Sequence, residues 1–394
     1  MIPYGRQSIS QADIDAVVAT LRSDFLTQGP AVDRFEERVA AYCGAAGAVA
    51  VSSATAALHI ACLAAGLGKG DLCWTSPNSF VASANCAVYC GADVDFVDIA
   101  PDTYNMDAAA LERKLAAAKR LGRLPKVVIP VHFSGQACRM DAIGQLAARY
   151  GFTVIEDASH AIGARFAGDT IGGCRHSAMT VFSFHPVKII TTGEGGIITT
   201  NDPALRRRLL RLRSHGITRD PADMDGGTAA ASSAGQLDDP WYYQQVELGF
   251  NYRMTDIQAA LGTSQLERVD VFVARRAEIA AAYDRLLADL AVIRPARDPD
   301  ARSSHHLYAI QLDAAAGARR ARRDVFRGLR ARGVGVNVHY IPIPTQPFYR
   351  RRGFSPESVP VALAYYQNAI TLPLHAAMTD GDVKTVVAAL EAEL

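Results

Sequence analysis

The chain has 394 residues, 49% of them apolar and 21% charged, and its 41 basic and 40 acidic side chains leave a formal charge of +1. This amount of apolar material supports a large core, which excludes an intrinsically disordered chain and a small disulfide-stapled scaffold. Because the charges balance, no bulk attraction draws the chain to nucleic acid or to an anionic membrane, and we expect neither as a partner.

The seven cysteines contain no Cys-x-x-Cys pair, and most of them lie in apolar segments. This spacing indicates neither a zinc site nor a redox motif, and free core cysteines favour a reducing compartment. The first residues lack the basic and apolar runs of a signal peptide. The ten histidines show no ligand spacing, so we predict a cytoplasmic protein without a metal site.

The first half of the chain alternates between strand-like and helix-like segments. Ser10 with Asp13 predicts a capped helix to about residue 22, and Pro30 opens the next helix. Further strands are predicted at 49–51, 72–75, 94–97, 127–131, 153–155, 180–184 and 196–199, and further helices at 56–65, 81–89, 111–119, 143–150 and 203–213. This alternation is typical of α/β units around a largely parallel sheet.

The second half begins with a segment rich in Asp, Gly, Ala, Ser and Pro at 219–240, which predicts a mobile loop. Residues 255–287 are strongly helical. The remainder predicts a strand at 307–312, a helix at 319–332, a strand at 335–339 and two C-terminal helices. We therefore predict a large domain over residues 1–264 and a smaller α/β domain over residues 265–394.

Arginine-rich stretches occur at 206–208, 319–323 and 350–352. They are short, scattered and balanced by acids elsewhere, so we interpret them as solvated faces and not as a nucleic-acid site. The glycine-rich stretch at 66–70 has no Ser or Thr after its lysine, so we interpret it as a surface turn and not as a phosphate loop.

Lys188 differs from the other lysines of the chain because its neighbours are apolar and aromatic. Burial disfavours an ammonium group and lowers its pKa, and a neutral lysine amine readily condenses with an aldehyde. A lysine that snorkels from a strand end explains the same pattern equally well.

Asp157 ends a segment, Thr-Val-Ile-Glu-Asp, that is typical of a buried strand. Ligands of α/β sheets bind beyond the carboxyl ends of such strands. A buried carboxylate needs a cationic partner, which is either a structural arginine or a protonated pyridine nitrogen of a ligand. His160 follows one turn later and is within reach of the same ligand.

Ser53, Ala54 and Thr55 form a small hydroxyl-rich turn between a predicted strand and a helix. Such a turn caps the helix, and its free N–H groups also bind phosphate. One cofactor carries an aldehyde that condenses with a lysine such as Lys188, a ring nitrogen that pairs with an acid such as Asp157, and a phosphate that such a turn binds. That cofactor is pyridoxal 5′-phosphate, whose protein signature is a lysine Schiff base with an acidic partner at the ring nitrogen.

Motifs along nearly the whole chain resemble those of the sugar-nucleotide aminotransferases of the DegT/StrS type. They are SSATAALH at 52–59, EDASHAIG at 156–163, FSFHPVK at 182–188, GEGG at 193–196 and GFNYRMTD at 249–256. The resemblance implies the α/β fold-type I aminotransferase architecture, with a mixed, mostly parallel sheet in the large domain. It also implies a homodimer with shared active sites.

The resemblance further implies a role for individual residues. Lys188 binds the cofactor covalently and moves the proton between substrate carbon and cofactor carbon, and Asp157 keeps the ring nitrogen protonated. Phe80 stacks on the ring, while Ser159 and His160 contact its other face and phenolic oxygen. The residues assigned to the phosphate region are Ser53, Ala54, Thr55 and Ser183, with Asn251 reaching it from the neighbouring subunit.

A narrower resemblance is to family members that transfer the amino group of L-glutamate to C4 of a UDP-linked 4-keto-6-deoxy-N-acetylhexosamine. It rests on IPYGRQ at 2–7, SDFLTQG at 23–29 and PNSFVASAN at 77–85. The residues that this resemblance assigns to the nucleotide-sugar pocket are Tyr4, Asp24, Phe25, Leu26, Thr27, Ala54, Ser183, Asn251, Val338, His339, Tyr340 and Ile341.

Other functions within the family stay open. One alternative is an aminotransferase that acts on another nucleotide-linked 4-keto sugar, of the viosamine, perosamine or aminoarabinose type. Family members with histidine in place of the lysine are dehydratases, and the retained Lys188 favours transamination. A regulatory protein that uses the fold as a cofactor sensor usually adds a DNA-binding module, whereas family-like motifs begin here at the first residues, so we expect an enzyme.

Overall fold

The computed structural model describes residues 1–224 and 239–394 of the chain, so most of the predicted loop at 219–240 lies outside the described residues. The strands are β1 (Gly47–Val51), β2 (Leu72–Thr75), β3 (Asp93–Phe96), β4 (Val127–Ile129), β5 (Thr153–Asp157), β6 (Arg165–Phe166), β7 (Asp169–Thr170), β8 (Met179–Ser183), β9 (Gly196–Thr200), β10 (Ile217–Thr218), β11 (Gln244–Gln245), β12 (Val292–Ile293), β13 (Ala301–Arg302), β14 (Tyr308–Leu312) and β15 (Ala369–Leu372).

A seven-stranded sheet in the order β1-β9-β8-β5-β4-β2-β3 forms the centre of the larger part of the molecule. β9 runs antiparallel to both β1 and β8, and the other pairings are parallel. The prediction of a largely parallel sheet is therefore confirmed. The strands are buried on both faces, as expected for a sheet that helices cover on each side.

The helices are α1 (Gln11–Leu21), α2 (Pro30–Cys43), α3 (Ala54–Ala64), α4 (Ala82–Tyr89), α5 (Ala108–Arg120), α6 (Met140–Tyr150), α7 (Pro203–Arg213), α8 (Asp256–Leu266), α9 (Val269–Leu286), α10 (Arg322–Ala331), α11 (Pro347–Arg350), α12 (Pro360–Asn368) and α13 (Asp380–Glu391). Apolar residues of α2, α5 and α6 pack on one face of the large sheet. Those of α3, α4 and α7 pack on the other. In the described part of the chain, no helix combines the length and the apolar character needed to cross a bilayer.

Local sequence signals fix several helix starts as predicted. Ser10 and Asp13 form the expected capping box of α1, and Pro30 is the first residue of α2. The helical region at 255–287 is divided, because α8 ends at Leu266 and α9 begins at Val269. Arg268 lies between these two helices and forms an ion pair with the buried Asp13, so the break is fixed to the first turn of α1.

A three-stranded antiparallel sheet, β12-β14-β15, forms the centre of the C-terminal part and packs with α9, α10 and α13 around a separate core. The backbone of Ile2 exchanges hydrogen bonds with Gly333 and Gly335. The first residues therefore contact the C-terminal part. The domain boundary at 264/265 stays a prediction.

The predicted strand at 335–339 is wrong. Only Asn337 forms a bridge there, with Thr371 at the edge of the small sheet. The carbonyl of His339 accepts a hydrogen bond from the Tyr365 hydroxyl, and the N–H of Tyr340 donates to the Asn78 side chain. These side-chain partners take the place of a strand ladder and hold the segment against the large sheet.

Candidate active site

A cavity of about 560 Å³ lies at the carboxyl ends of β5 and β8. Its walls bring together residues from distant parts of the chain. The predicted residues that line it are Tyr4, Ser53, Ala54, Thr55, Phe80, Asp157, Ser159, His160, Ser183, Lys188, Val338, His339 and Tyr340.

Lys188 lies in the loop after β8, with its side chain in the wall of this cavity. Burial lowers the pKa of its amine to about 8, and the negative charge of Asp157 opposes part of that shift. The expectation of a lowered pKa, drawn from the apolar neighbours, agrees with this environment. Compared with an ordinary lysine, more of the amine is therefore neutral near physiological pH, and the neutral form is the one that attacks a carbonyl carbon.

Asp157 ends β5 and is 4% exposed. One carboxylate oxygen accepts a 2.6 Å hydrogen bond from the Ser83 hydroxyl, and the other accepts one from the N–H of Ser159. Both donors are uncharged. In the described part of the chain, no lysine or arginine forms an ion pair with Asp157 (the ion pair nearest in sequence joins Glu156 and His132). A buried carboxylate that has no ion-pair partner among the described residues, and whose neighbouring Lys188 amine is shifted towards its neutral form, fits a protonated ring nitrogen in the cavity.

The turn before α3 presents a helix N-terminus to the cavity. Ser53 is the N-cap residue and accepts a 3.1 Å hydrogen bond from the N–H of Ala56. Ala54 and Thr55 follow in the cavity wall. Gly196 of β9 packs so closely on this turn that a Cβ atom there would lie 2.6 Å from the backbone nitrogen of Ala54. The sheet thus holds this turn in place, and a helix N-terminus of this kind is a suitable site for an anion.

His160, His306 and Tyr340 form one side of the cavity. Nε2 of His160 lies 3.1 Å from the Tyr340 hydroxyl, and the rings of His160 and His306 are 4.4 Å apart. Burial lowers the pKa of both histidines well below the ordinary value, and the neighbouring Lys188 adds to this shift. Both rings are therefore neutral, and the buried Nδ1 atom of each has no partner among the described residues.

Phe80, Tyr4 and His339 are further residues of the cavity wall. The Phe80 ring is 61% exposed although it lines the cavity. The rings of Tyr4 and His339 are 5.8 Å apart. The N-terminal segment and the segment after α10 thus meet at the cavity, and their assignment to the substrate pocket stays a prediction.

Some predicted site residues do not line this cavity within one chain. They are exposed and comprise Asp24, Phe25, Leu26, Thr27, Asn251 and Ile341. Their assignment to the cofactor and substrate sites stays a prediction.

Sequence reasoning also missed residues of the wall, and these are Leu58, Ser79, Ala82, Val131, His185, Val187, Glu194, His306 and Asn337. Ser79 and Glu194 lie inside motifs that were recognised, at 77–85 and 193–196. These motifs therefore contained a signal for both residues. His306 stands in no recognised motif.

Residues 7–391 match the DegT/DnrJ/EryC1/StrS aminotransferase family. The spore coat polysaccharide biosynthesis protein SpsC of Bacillus subtilis is 37% identical over 99% of this chain and 96% of its own length. The UDP-4-amino-4,6-dideoxy-N-acetyl-beta-L-altrosamine transaminase of Campylobacter jejuni is 35% identical over 98% of this chain and 96% of its own length.

Solved structures of sugar aminotransferases share the fold. The putative sugar aminotransferase Spr1654 of Streptococcus pneumoniae in its PLP form aligns with a TM-score of 0.86 and 29% identity, over 99% of this chain and 98% of that chain. Helicobacter pylori PseC, described as an aminotransferase involved in the biosynthesis of pseudoaminic acid, gives the same TM-score, identity and coverage of both chains. The chain therefore belongs to the DegT/DnrJ/EryC1/StrS family and is a sugar aminotransferase that uses pyridoxal 5′-phosphate.

Proposed function

We propose that this enzyme transfers the amino group of L-glutamate to C4 of a UDP-4-keto-6-deoxy-N-acetylhexosamine. The product is UDP-4-amino-4,6-dideoxy-N-acetyl-β-L-altrosamine, an intermediate for pseudaminic acid. The observation that carries the proposal is the placement of Lys188, the buried Asp157 carboxylate and the α3 turn around one cavity. The choice of sugar is supported by the 35% identity to the Campylobacter jejuni transaminase.

In this proposal Lys188 anchors the cofactor and then acts as the proton carrier. When bound, pyridoxal phosphate supplies an electron sink that eases removal of a proton next to the transferred nitrogen. Lys188 Nζ takes the proton from the α-carbon of glutamate and later delivers one to C4 of the sugar. A pKa near 8 suits both steps, because the amine both accepts and releases a proton close to neutral pH.

The other cavity residues hold and orient the ligands. We assign Asp157 to the ring nitrogen, and Ser159 and His160 to the side of the ring near the phenolic oxygen. A neutral His160 donates or accepts one hydrogen bond there without adding charge. Phe80 covers the ring face, and the phosphate is assigned to Ser53, Ala54, Thr55 and Ser183.

We propose a homodimer whose active sites are shared between subunits. Asn251 and the segment 24–27 are exposed and stand outside the cavity of their own chain, which is the placement expected of residues that serve a partner's site. Large apolar side chains in these parts of the sequence are also exposed, with Phe25 at 52%, Trp241 at 67% and Leu248 at 77%. Exposed apolar side chains of this size suit a protein contact surface.

The seven cysteines are all free, and only Cys90 is not fully buried. Free thiols persist in a reducing compartment, which supports the cytoplasm as the place of this reaction.

The substrate test combines purified holoenzyme, L-glutamate and the UDP-linked 4-keto sugar, with detection of the amino sugar by mass spectrometry and NMR. The dTDP-linked and GDP-linked 4-keto-6-deoxyhexoses serve as competitors. We expect the UDP-linked substrate to have the highest kcat/KM. Preferential turnover of another nucleotide sugar contradicts the proposed substrate and supports the viosamine, perosamine or aminoarabinose type.

The dimer test uses complementation between two inactive or weakened proteins, Lys188→Ala and Asn251→Ala. A mixed dimer contains one site in which Lys188 of one subunit meets Asn251 of the other, both intact. We expect activity to reappear on mixing after subunit exchange, above the level of either protein alone. If the mixture never exceeds the sum of its components while light scattering shows mixed dimers, Asn251 does not act across the interface.

A further inference from the structure

α10 carries a row of arginines without acidic partners. Arg323, Arg327 and Arg330 are spaced four and three residues apart, so their side chains share one face of the helix. All three are exposed, and none forms an ion pair within residues 1–224 and 239–394. Arg330 lies over the Phe326 ring at 5.9 Å. Like charges at this spacing repel each other, so the row lowers the stability of the helix unless an anion joins it.

Three other arginines in or beside α10, Arg320, Arg322 and Arg332, do have partners. Arg320 and Arg332 flank α10 and both bind the carboxylate of Glu393. Arg322 donates to the carbonyl of Tyr366 and stacks at 4.5 Å on its ring. The structure thus provides partners for arginines on either side and leaves one face of α10 as free positive charge.

This face borders a groove that adjoins the active site. The groove has a volume of about 410 Å³, and its walls comprise Arg322, Arg323, Phe326, Arg327, Arg330 and Val338. Val338 also lines the active-site cavity, so the two spaces share this residue. Phe326 is half-buried and adds an apolar surface beneath the Arg330 guanidinium group.

We propose that Arg323, Arg327 and Arg330 bind the diphosphate of the nucleotide-sugar substrate. This inference rests on the proposed function, since it takes the substrate to be a sugar linked to a nucleoside diphosphate. The sugar must enter the cavity to reach Lys188, and the charged diphosphate is then left towards the opening. A guanidinium group binds two phosphate oxygens at once and is only weakly hydrated, which makes it well suited to this contact. Arg323, the last residue of the arginine-rich stretch at 319–323, thus belongs to a binding surface and not only to a solvated face.

The test measures binding of UDP, uridine and inorganic pyrophosphate to the holoenzyme by calorimetry at 50 and 200 mM salt. The variants are Arg323→Gln, Arg327→Gln and the double change. The matched control is Arg207→Gln, which removes the same charge from an exposed residue of α7 that forms no ion pair in the described part of the chain. We expect the UDP dissociation constant to rise about 5- to 10-fold per substitution and to depend less on salt, with uridine binding unchanged.

The inference is overturned if the double variant binds UDP with the same affinity as Arg207→Gln and the unmodified enzyme. It is also overturned if the unmodified enzyme binds UDP no better than uridine. If pyrophosphate alone binds as tightly as UDP and loses affinity in the same variants, the arginines bind free phosphate groups and the assignment to the nucleotide sugar is wrong.

The two proposals fail in different ways. If the dTDP-linked sugar is the better substrate and its KM rises in Arg323→Gln and Arg327→Gln, the arginine site stands and the UDP sugar is wrong. If the UDP-linked sugar is turned over with the same KM in every variant, the proposed substrate stands and the arginine site is wrong. The reaction with glutamate alone, followed by visible absorbance, is expected to stay unchanged in all of these variants because glutamate carries no phosphate.

Discussion

The Ser83 hydroxyl donates a 2.6 Å hydrogen bond to the carboxylate of Asp157, across 74 residues of sequence. Ser83 is 1% exposed, and its oxygen lies 2.7 Å from that of Ser79. A serine has one hydroxyl proton, so with the Ser83 proton committed to Asp157 the Ser79 hydroxyl must be the donor to Ser83. The acid assigned to the cofactor ring is thus held from α4 by a short hydroxyl chain.

We expect Ser83→Ala to weaken cofactor binding and lower kcat/KM by roughly 10- to 100-fold, because a hydrogen bond to a buried charged group contributes about 1.5–3 kcal/mol. Ser79→Ala acts one bond further away and is expected to have a smaller effect. Fluorescence titration of the apoprotein with pyridoxal phosphate measures the dissociation constant. Ser76→Ala is the control, since Ser76 is equally buried and bonds only to the N–H of Asn78. Equal losses in the Ser76 and Ser83 variants contradict the positioning role.

Lys188 is expected to react with acylating reagents at lower pH than other lysines. Its pKa of about 8 results from burial, opposed by Asp157. In the apoprotein, modification of the Lys188 peptide followed by mass spectrometry is expected to be half-maximal near pH 8. In Asp157→Asn the midpoint moves to still lower pH, because the charge that favours the ammonium form is gone. The exposed Lys69 provides an internal reference, and a Lys188 midpoint equal to that of Lys69 contradicts the prediction.

Much of the large sheet could be predicted from the sequence because its signals are local. The strand at 72–75 and the helix at 203–213 were predicted to the residue, since each has a short apolar or periodic run next to a turn or a capping residue. The Ser53 turn and Asp157 each stand at the end of such a strand, and both line the cavity. Local patterns therefore indicated these candidate residues, and their roles at the phosphate and the ring nitrogen stay predictions.

Residues that depend on distant partners could not be predicted in this way. Ser83 lies inside an apolar helix, and nothing in α4 itself indicates that it faces Asp157. The strand predicted at 335–339 failed for the same reason, because Tyr365 and Asn78, far away in sequence, hold the backbone of that segment. His306 contributes to the cavity through its ring contact with His160, which the sequence around either residue does not encode.

Glu156 is expected to stabilise the fold in a pH-dependent way. Burial alone would raise the pKa of its carboxyl group, but hydrogen bonds from His132, Ser177 and Thr180 outweigh burial and lower it. The N–H of Cys138 donates to Nδ1 of His132, so the proton on the opposite nitrogen is the one directed at Glu156.

A carboxyl group with a lowered pKa in the folded state stabilises the protein above its unfolded-state pKa of 4.5, and this stabilisation is lost as the pH falls through the folded-state value. We expect Glu156→Gln to reduce the free energy of unfolding by about 2 kcal/mol at pH 7. The difference from the unmodified protein is expected to shrink below about pH 4.5. Urea titrations across this range measure it, with Glu112→Gln in an exposed ion pair as the control. A constant difference at every pH contradicts the explanation.

Gly196 is expected to be indispensable for the phosphate turn because no side chain fits between β9 and α3. A Cβ atom there would lie 2.6 Å from the backbone nitrogen of Ala54 and 2.6 Å from the carbonyl carbon of Ser53. Backbone cannot give way as a flexible side chain does, so Gly196→Ala must displace the turn. Gly68→Ala is the control, because a Cβ atom there meets nothing within 4 Å. We expect Gly196→Ala to cost about 1–3 kcal/mol of stability and to weaken binding of both pyridoxal phosphate and inorganic phosphate to the apoprotein, while Gly68→Ala changes neither. Loss of stability with unchanged phosphate binding would show that the anion site does not depend on this packing.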